Sequence, residues 1–98
     1  MELGHMKLGD GTVISVQASR IHYSTPRENG AEKYSHVEVA SWGAKALPEL
    51  ADLAEGGDHP REEGETIIYP YAPIERVEQL ITARGGIAEM LGERILPP

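Results

Sequence analysis

Apolar and polar positions alternate along Thr12–Ala18, T-V-I-S-V-Q-A, with Ile14, Val16 and Ala18 on one parity. Successive strand side chains point to opposite faces, so this pattern predicts a half-buried β-strand. The run continues as S-R-I-H-Y to Tyr23, but Ile21 and Tyr23 carry the apolar phase on the other parity. Either a β-bulge near Ser19-Arg20 restores one inward face, or the strand is covered on both sides. Upstream, Gly9-Asp10-Gly11 marks a tight turn after a short Met6–Leu8 segment.

The alternation resumes in K-Y-S-H-V-E-V-A. Ser35, Val37 and Val39 take one side, and Tyr34, His36 and Glu38 the other. The valines are expected to face the core, leaving the polar trio toward solvent or a partner subunit. Between the two strands, Thr25-Pro26-Arg27-Glu28 has capping-box spacing with proline at the first helical position. Asn29-Gly30 ends it at once, so a single helical turn or a compact loop is expected. Pro48 can start a short helix, P-E-L-A-D-L-A-E, with Leu47, Leu50 and Leu53 on one side. An acidic loop follows, E-G-G-D-H-P-R-E-E-G-E, then a last strand, T-I-I-Y-P-Y. Pro70 inside that strand predicts an edge position or a bulge, because proline cannot donate to a ladder.

Period-3.6 spacing takes over after Pro73. Ile74, Val77, Leu80 and Ile81 form one stripe, and Gly85-Gly86 stops it, which predicts a helix over 73–84. Ile87, Met90, Leu91 and Ile95 repeat the period, predicting a second short helix or a tail that docks on a partner. Strands first and helices last make an α+β domain: a small antiparallel sheet, one main helix (73–84) packed on one face, and a short C-terminal helix. Sheet edges invite pairing, so a homo-oligomer is expected.

The chain has 98 residues, enough for one domain and one modest core. M-E-L-G-H-M reads as a cloning remnant, which leaves residues 7–98 as the domain. No phenylalanine is present, so the core must be aliphatic, with tyrosines where their hydroxyls reach water or a partner. The formal charge of −7 argues against wrapping a nucleic-acid polymer, which needs basic charge. With no cysteine there is no disulfide, thiolate metal site or cysteine nucleophile. No apolar run approaches the roughly 20 residues that span a bilayer, and no signal-peptide pattern appears. A cytoplasmic protein without a membrane partner is expected.

Few arrangements carry chemistry. Neither common phosphate loop is present, nor a GxSxG elbow, nor HExxH. Ser35 and His36 are expected on opposite strand faces, out of reach as a nucleophile–base pair. Among His22, His36, Glu38 and His59 only His36 and Glu38 have a spacing that suits two metal ligands, short of a full set. No cofactor, metal or enzymatic activity is therefore expected. The distinctive stretch is I-H-Y-S-T-P-R-E-N, residues 21–29. Arg27 offers a planar fork for phosphate or carboxylate. Tyr23 offers a stacking face and His22 a switchable hydrogen-bonding edge. Arg20 shares the parity of His22, and Tyr69 and Tyr71 on a second strand can complete an aromatic wall. The alternative for Arg27 is an ordinary ion pair with Glu28 or another nearby acid.

Taken in order, I-S-V-Q-A-S, H-Y-S-T-P-R-E-N, Y-S-H-V-E-V-A, Y-P-Y-A-P-I-E-R-V-E-Q-L-I and A-R-G-G-I resemble small phage and prophage counter-defence proteins. These include Thoeris anti-defence proteins that sequester nucleotide signals and anti-CRISPR proteins that cover a host surface. The resemblance implies site residues His22, Tyr23, Pro26 and Arg27, with Ser24-Thr25 departing from a pattern that often has cysteine there. Two readings follow. One is a non-enzymatic, oligomeric binding protein that sequesters a phosphorylated, nucleotide-derived signal, with a subunit boundary shaping the pocket. The other is an acidic inhibitor that uses Asp58, Glu62, Glu63 and Glu65 to block a basic surface of a host defence protein.

Overall fold

The computed structural model describes residues 1–92. Its elements follow in the order β1 (Gly4–Leu8), β2 (Val13–Gln17), β3 (His36–Trp42), a 3₁₀ helix (Pro48–Leu53), β4 (Thr66–Pro73), α1 (Ile74–Ala83) and β5 (Ile87–Gly92). All five strands join one antiparallel sheet in the spatial order β4-β3-β2-β1-β5. That order makes β4 and β5 the two edges, running in the same direction. Parallel strands that follow each other in the chain need a crossover, and α1 supplies it. The α+β class, the antiparallel sheet and the main helix all match the sequence pattern.

The core is a single layer. Met6, Ile14, Val16, Val37, Val39 and Ile67 project from the sheet and are buried against Val77 and Leu80 of α1 and Leu50 of the 3₁₀ helix. Met6 is wholly buried within β1. Residues 4–6 thus pair in the sheet.

Three elements differ from the sequence expectation. The second strand stops at Gln17 instead of running to Tyr23. Beyond it the Ser19 Oγ accepts the Ile21 amide, and the Ser24 amide bonds the His22 carbonyl. Short polar side chains and local turns here compete successfully with the ladder. Ile21 is therefore half exposed, and neither a bulge nor a two-sided cover brings it inward.

The second departure is in the side-chain parity on either side of Pro70, although Pro70 itself behaves as expected. Both anticipated features occur together, since β4 is an edge and its register against β3 shifts between Val37 and Val39. Tyr71, in that irregularity, has φ of 52°, a left-handed backbone that side chains disfavour by about 1 kcal/mol. The shift breaks the two-residue period, so Tyr69 faces the core and Tyr71 does not follow it inward.

The third departure is after α1. Ile87–Gly92 is a strand, not the helix that the spacing of Ile87, Met90 and Leu91 suggested; Ile95 lies outside the described residues. The cause is the close approach of Gly9 and Gly85. A Cβ on Gly9 would fall 2.6 Å from the Gly85 carbonyl oxygen, which only glycine avoids. The Gly9 amide bonds the Gly86 carbonyl and the Asp10 amide bonds the Arg84 carbonyl. The chain leaving α1 is thereby delivered to the open edge of β1, whose unpaired backbone groups override a local helical period.

Candidate functional site

The loop between β2 and β3 folds back over the start of β3. Its Thr25 amide donates to the His36 carbonyl, and the Ser35 amide donates to the Thr25 carbonyl. The Thr25-Pro26 peptide is cis. Beneath the loop lies a small buried polar knot. Ser19 Oγ is 2.6 Å from His22 Nδ1, and Ser24 Oγ donates toward the Ser19, His22 and Pro26 carbonyls. Ser19 and Ser24 are buried and His22 nearly so. His22 is thus a buttress for the loop, with one ring nitrogen already engaged.

Above the knot three predicted residues come together. The Tyr23 and Tyr71 rings lie 5.7 Å apart and tilted by 46°, within the range of favourable aromatic pairs. The Arg27 guanidinium carbon sits 5.4 Å from the centre of the Tyr23 ring, a cation–π distance. The Tyr71 amide donates to the Tyr23 carbonyl at 3.1 Å, tying the loop to the bulge of β4. Glu38 Oε2 accepts the Tyr23 amide at 2.9 Å, fixing the loop from below. Both tyrosines remain about 40% exposed, at 39% and 42%.

Arg27 makes no ion pair with Glu28 or with any other acid among the described residues. Its guanidinium rests on an aromatic face, and the residue is otherwise exposed to solvent. Arg20 and Pro26 are exposed in the same loop; the Arg20 amide donates to Asn29 Oδ1, and its side chain makes no ion pair among the described residues. Tyr69 does not join the aromatic wall. It is wholly buried, its hydroxyl sharing a hydrogen bond with Ser41 Oγ and accepting the Leu47 amide, each at 2.8 Å.

Ser35 and His36 are closer than strand alternation implied. Ser35 Oγ lies 2.8 Å from His36 Nδ1, because Ser35 precedes the first residue of β3 and escapes its pleat. No carboxylate bonds to the His36 ring among the described residues, so the pair lacks the orienting third group of a catalytic triad. Glu38, its possible metal-binding neighbour, already holds the Tyr23 amide through Oε2. The described residues contain no group of three or more potential metal ligands, and no helix among them is long and apolar enough to cross a membrane.

Several charged residues acquire roles that the pattern does not signal. Arg84 donates to both carboxylate oxygens of Glu49, at 2.7 and 2.9 Å, and to Asp10 and Thr12. Its guanidinium holds the Glu49 carboxyl below its usual pKa. Asp10 is lowered first by the Thr12 amide and hydroxyl, with Arg84 adding to them. Arg76 forks onto Asp52, lowering that carboxyl too. Arg61 folds inward, donating through Nη2 to the Glu55 and Gly57 carbonyls. The outer rim of the acidic loop is left to Asp58, Glu62, Glu63 and Glu65, all exposed. The one clue in the sequence is Arg84, a cation just past the end of the helix and beside two glycines.

Comparison with known protein families, with curated proteins and with solved structures gives no match.

Proposed function

We propose that the protein is a non-enzymatic binding protein that captures a ring-bearing, phosphorylated, nucleotide-derived ligand on Tyr23, Tyr71 and Arg27. The observation that carries this reading is the exposed Tyr23–Tyr71 pair capped by an unpaired Arg27. An exposed aromatic face contributes about 1–3 kcal/mol per stacked base. A guanidinium free of carboxylates can take a phosphate in a bidentate fork. The backbone of Tyr71 adds support, because left-handed non-glycine residues persist where surrounding structure enforces them and cluster at ligand sites. Arg20, in the same loop, is a second cation for the phosphate. His22 and Pro26 shape the loop. The setting, sequestration of a signal in the host cytoplasm by a phage-type counter-defence protein, rests on the sequence resemblance.

The test is a thermal-shift panel of linear and cyclic nucleotides. A ligand at a hundred times its Kd adds about 2.7 kcal/mol, which for a domain of this size raises Tm by about 10–20 °C. No shift with any of them rules the reading out.

The inward fold of Arg61 favours a second reading. It withdraws the cation of the acidic loop and presents Asp58, Glu62, Glu63 and Glu65 together, which suits an inhibitor that covers a basic surface of a host defence protein. Charge reversal at Glu62 and Glu63 then abolishes capture of that partner, and added salt weakens it. Capture insensitive to both excludes this mode.

A further inference from the structure

Glu38 differs from Asp10, Glu49 and Asp52, which Arg84 and Arg76 neutralise. It alternates in β3 with the buried Val37 and Val39, so it projects from the sheet face that α1 does not cover. The register against β4 sets Val37 opposite Ala72 and Val39 opposite Tyr69. Glu38 therefore stands alone against two residues of the bulge, Pro70 and Tyr71. Its Oε2 also accepts the Tyr23 amide at 2.9 Å. One carboxylate thus adjoins both members of the aromatic pair, Tyr71 by register and Tyr23 by hydrogen bond. Among the described residues it forms no ion pair, and Oε1 accepts no hydrogen bond. The residue is only partly exposed, and a partly buried carboxylate without a cation calls for donors.

We infer that Glu38 reads the base of the bound ligand and selects guanine, an inference that rests on the nucleotide reading of the same site. A carboxylate only accepts hydrogen bonds, at about four lone-pair positions. Holding the Tyr23 amide leaves room for two further donors. Among the common bases only guanine sets two donors side by side on one edge, a ring N–H and an amino group. Adenine and cytosine place their amino group beside a ring nitrogen whose lone pair faces the carboxylate. Uracil places its one N–H between two carbonyl oxygens. Hydrogen bonds to a charged acceptor are roughly twice as strong as neutral ones, so the matched edge gains most. The charges also fix the direction of the ligand. Phosphate goes to Arg27, over the Tyr23 ring, and the base edge goes to Glu38, at the backbone of the same residue.

Calorimetry with guanine, hypoxanthine and adenine nucleotides, as linear and as cyclic monophosphates, reads the result. The guanine form should bind about tenfold to a hundredfold more tightly than the adenine form, as expected for hydrogen bonds to a charged group. Hypoxanthine, which keeps the ring N–H but lacks the amino group, should fall between them. Glu38→Gln retains an oxygen for the Tyr23 amide but offers the base a donor as well as an acceptor, which suits adenine. It should bring the guanine and adenine forms nearly level. A merely loosened loop would weaken both alike and leave their ratio unchanged. Equal binding of guanine and adenine by the parent chain, or a guanine preference that survives Glu38→Gln, overturns the inference and leaves the nucleotide reading in place. Failure of every nucleotide to bind removes both.

Discussion

The Tyr71 amide donates to the Tyr23 carbonyl at 3.1 Å while the two phenol rings sit 5.7 Å apart. One hydrogen bond and one ring contact thus join a loop and a strand that are remote in sequence. The bulge of β4 makes both possible, at the expense of a left-handed backbone at Tyr71.

Tyr71→Gly tests the balance. Glycine relieves about 1 kcal/mol of backbone strain but loses a ring contact of about the same size. Stability by urea unfolding should change by less than about 1 kcal/mol, while nucleotide affinity falls about tenfold through the lost stacking surface. Unchanged affinity would place the ligand elsewhere.

Arg27→Ala isolates the charge. The side chain makes no hydrogen bond or ion pair among the described residues. Its contact with the Tyr23 ring contributes about 0.5–1 kcal/mol, so Tm in the absence of ligand should fall by no more than about 2–8 °C. Binding, measured by calorimetry, should weaken by about tenfold to a hundredfold, as expected for a charge-assisted hydrogen bond to phosphate. Arg27→Lys should recover only part of it, since an ammonium cannot fork.

Tyr69→Phe addresses the core. Its hydroxyl satisfies the Leu47 amide at the entrance to the 3₁₀ helix and bonds Ser41. Phenylalanine keeps the ring but strands both partners, which should destabilise the domain by about 1–3 kcal/mol in urea unfolding. Ligand binding should be retained, separating this tyrosine from Tyr23 and Tyr71.

Acid stability should depend on Arg84. Its bond to Glu49 lowers that carboxyl in the folded state. A lowered folded pKa means stability that is fully present above the ordinary carboxylate range, about pH 4, and lost as pH falls through the folded value. Tm should therefore hold from neutral pH to near that range and drop below it. Arg84→Met should lower Tm at neutral pH and flatten the fall in acid. A parallel acid profile in the variant would mean that other groups carry the dependence.

Much of the scaffold is legible in the residue pattern. Ile14 and Val16, Val37 and Val39, and the Val77–Leu80–Ile81 stripe all face the core as their periods require. Pro70 correctly marks an edge and a bulge. The segment after α1 is not legible, because Ile87, Met90 and Leu91 fit a helical period by chance, whereas the Gly9–Gly85 contact decides where that chain goes. The site was partly legible. Tyr23, Arg27 and Tyr71 stand out as residue types, and they do meet. Parity alone groups Tyr69 with them, and neighbourhood alone groups His22. The bulge and the buried Ser19–His22 contact remove both from the surface cluster.

By itself the sequence determined the α+β class, a largely aliphatic core and the places where glycine and proline break the elements. These depend on near-neighbour periodicity and on backbone preferences of glycine and proline, which act within a few residues. Only the tertiary structure decided which tyrosines share a surface, which arginines are spent on carboxylates, and where the chain after α1 joins the sheet. Those outcomes depend on register shifts and backbone approaches between segments far apart in the chain, where a one-residue slip moves a side chain from core to solvent.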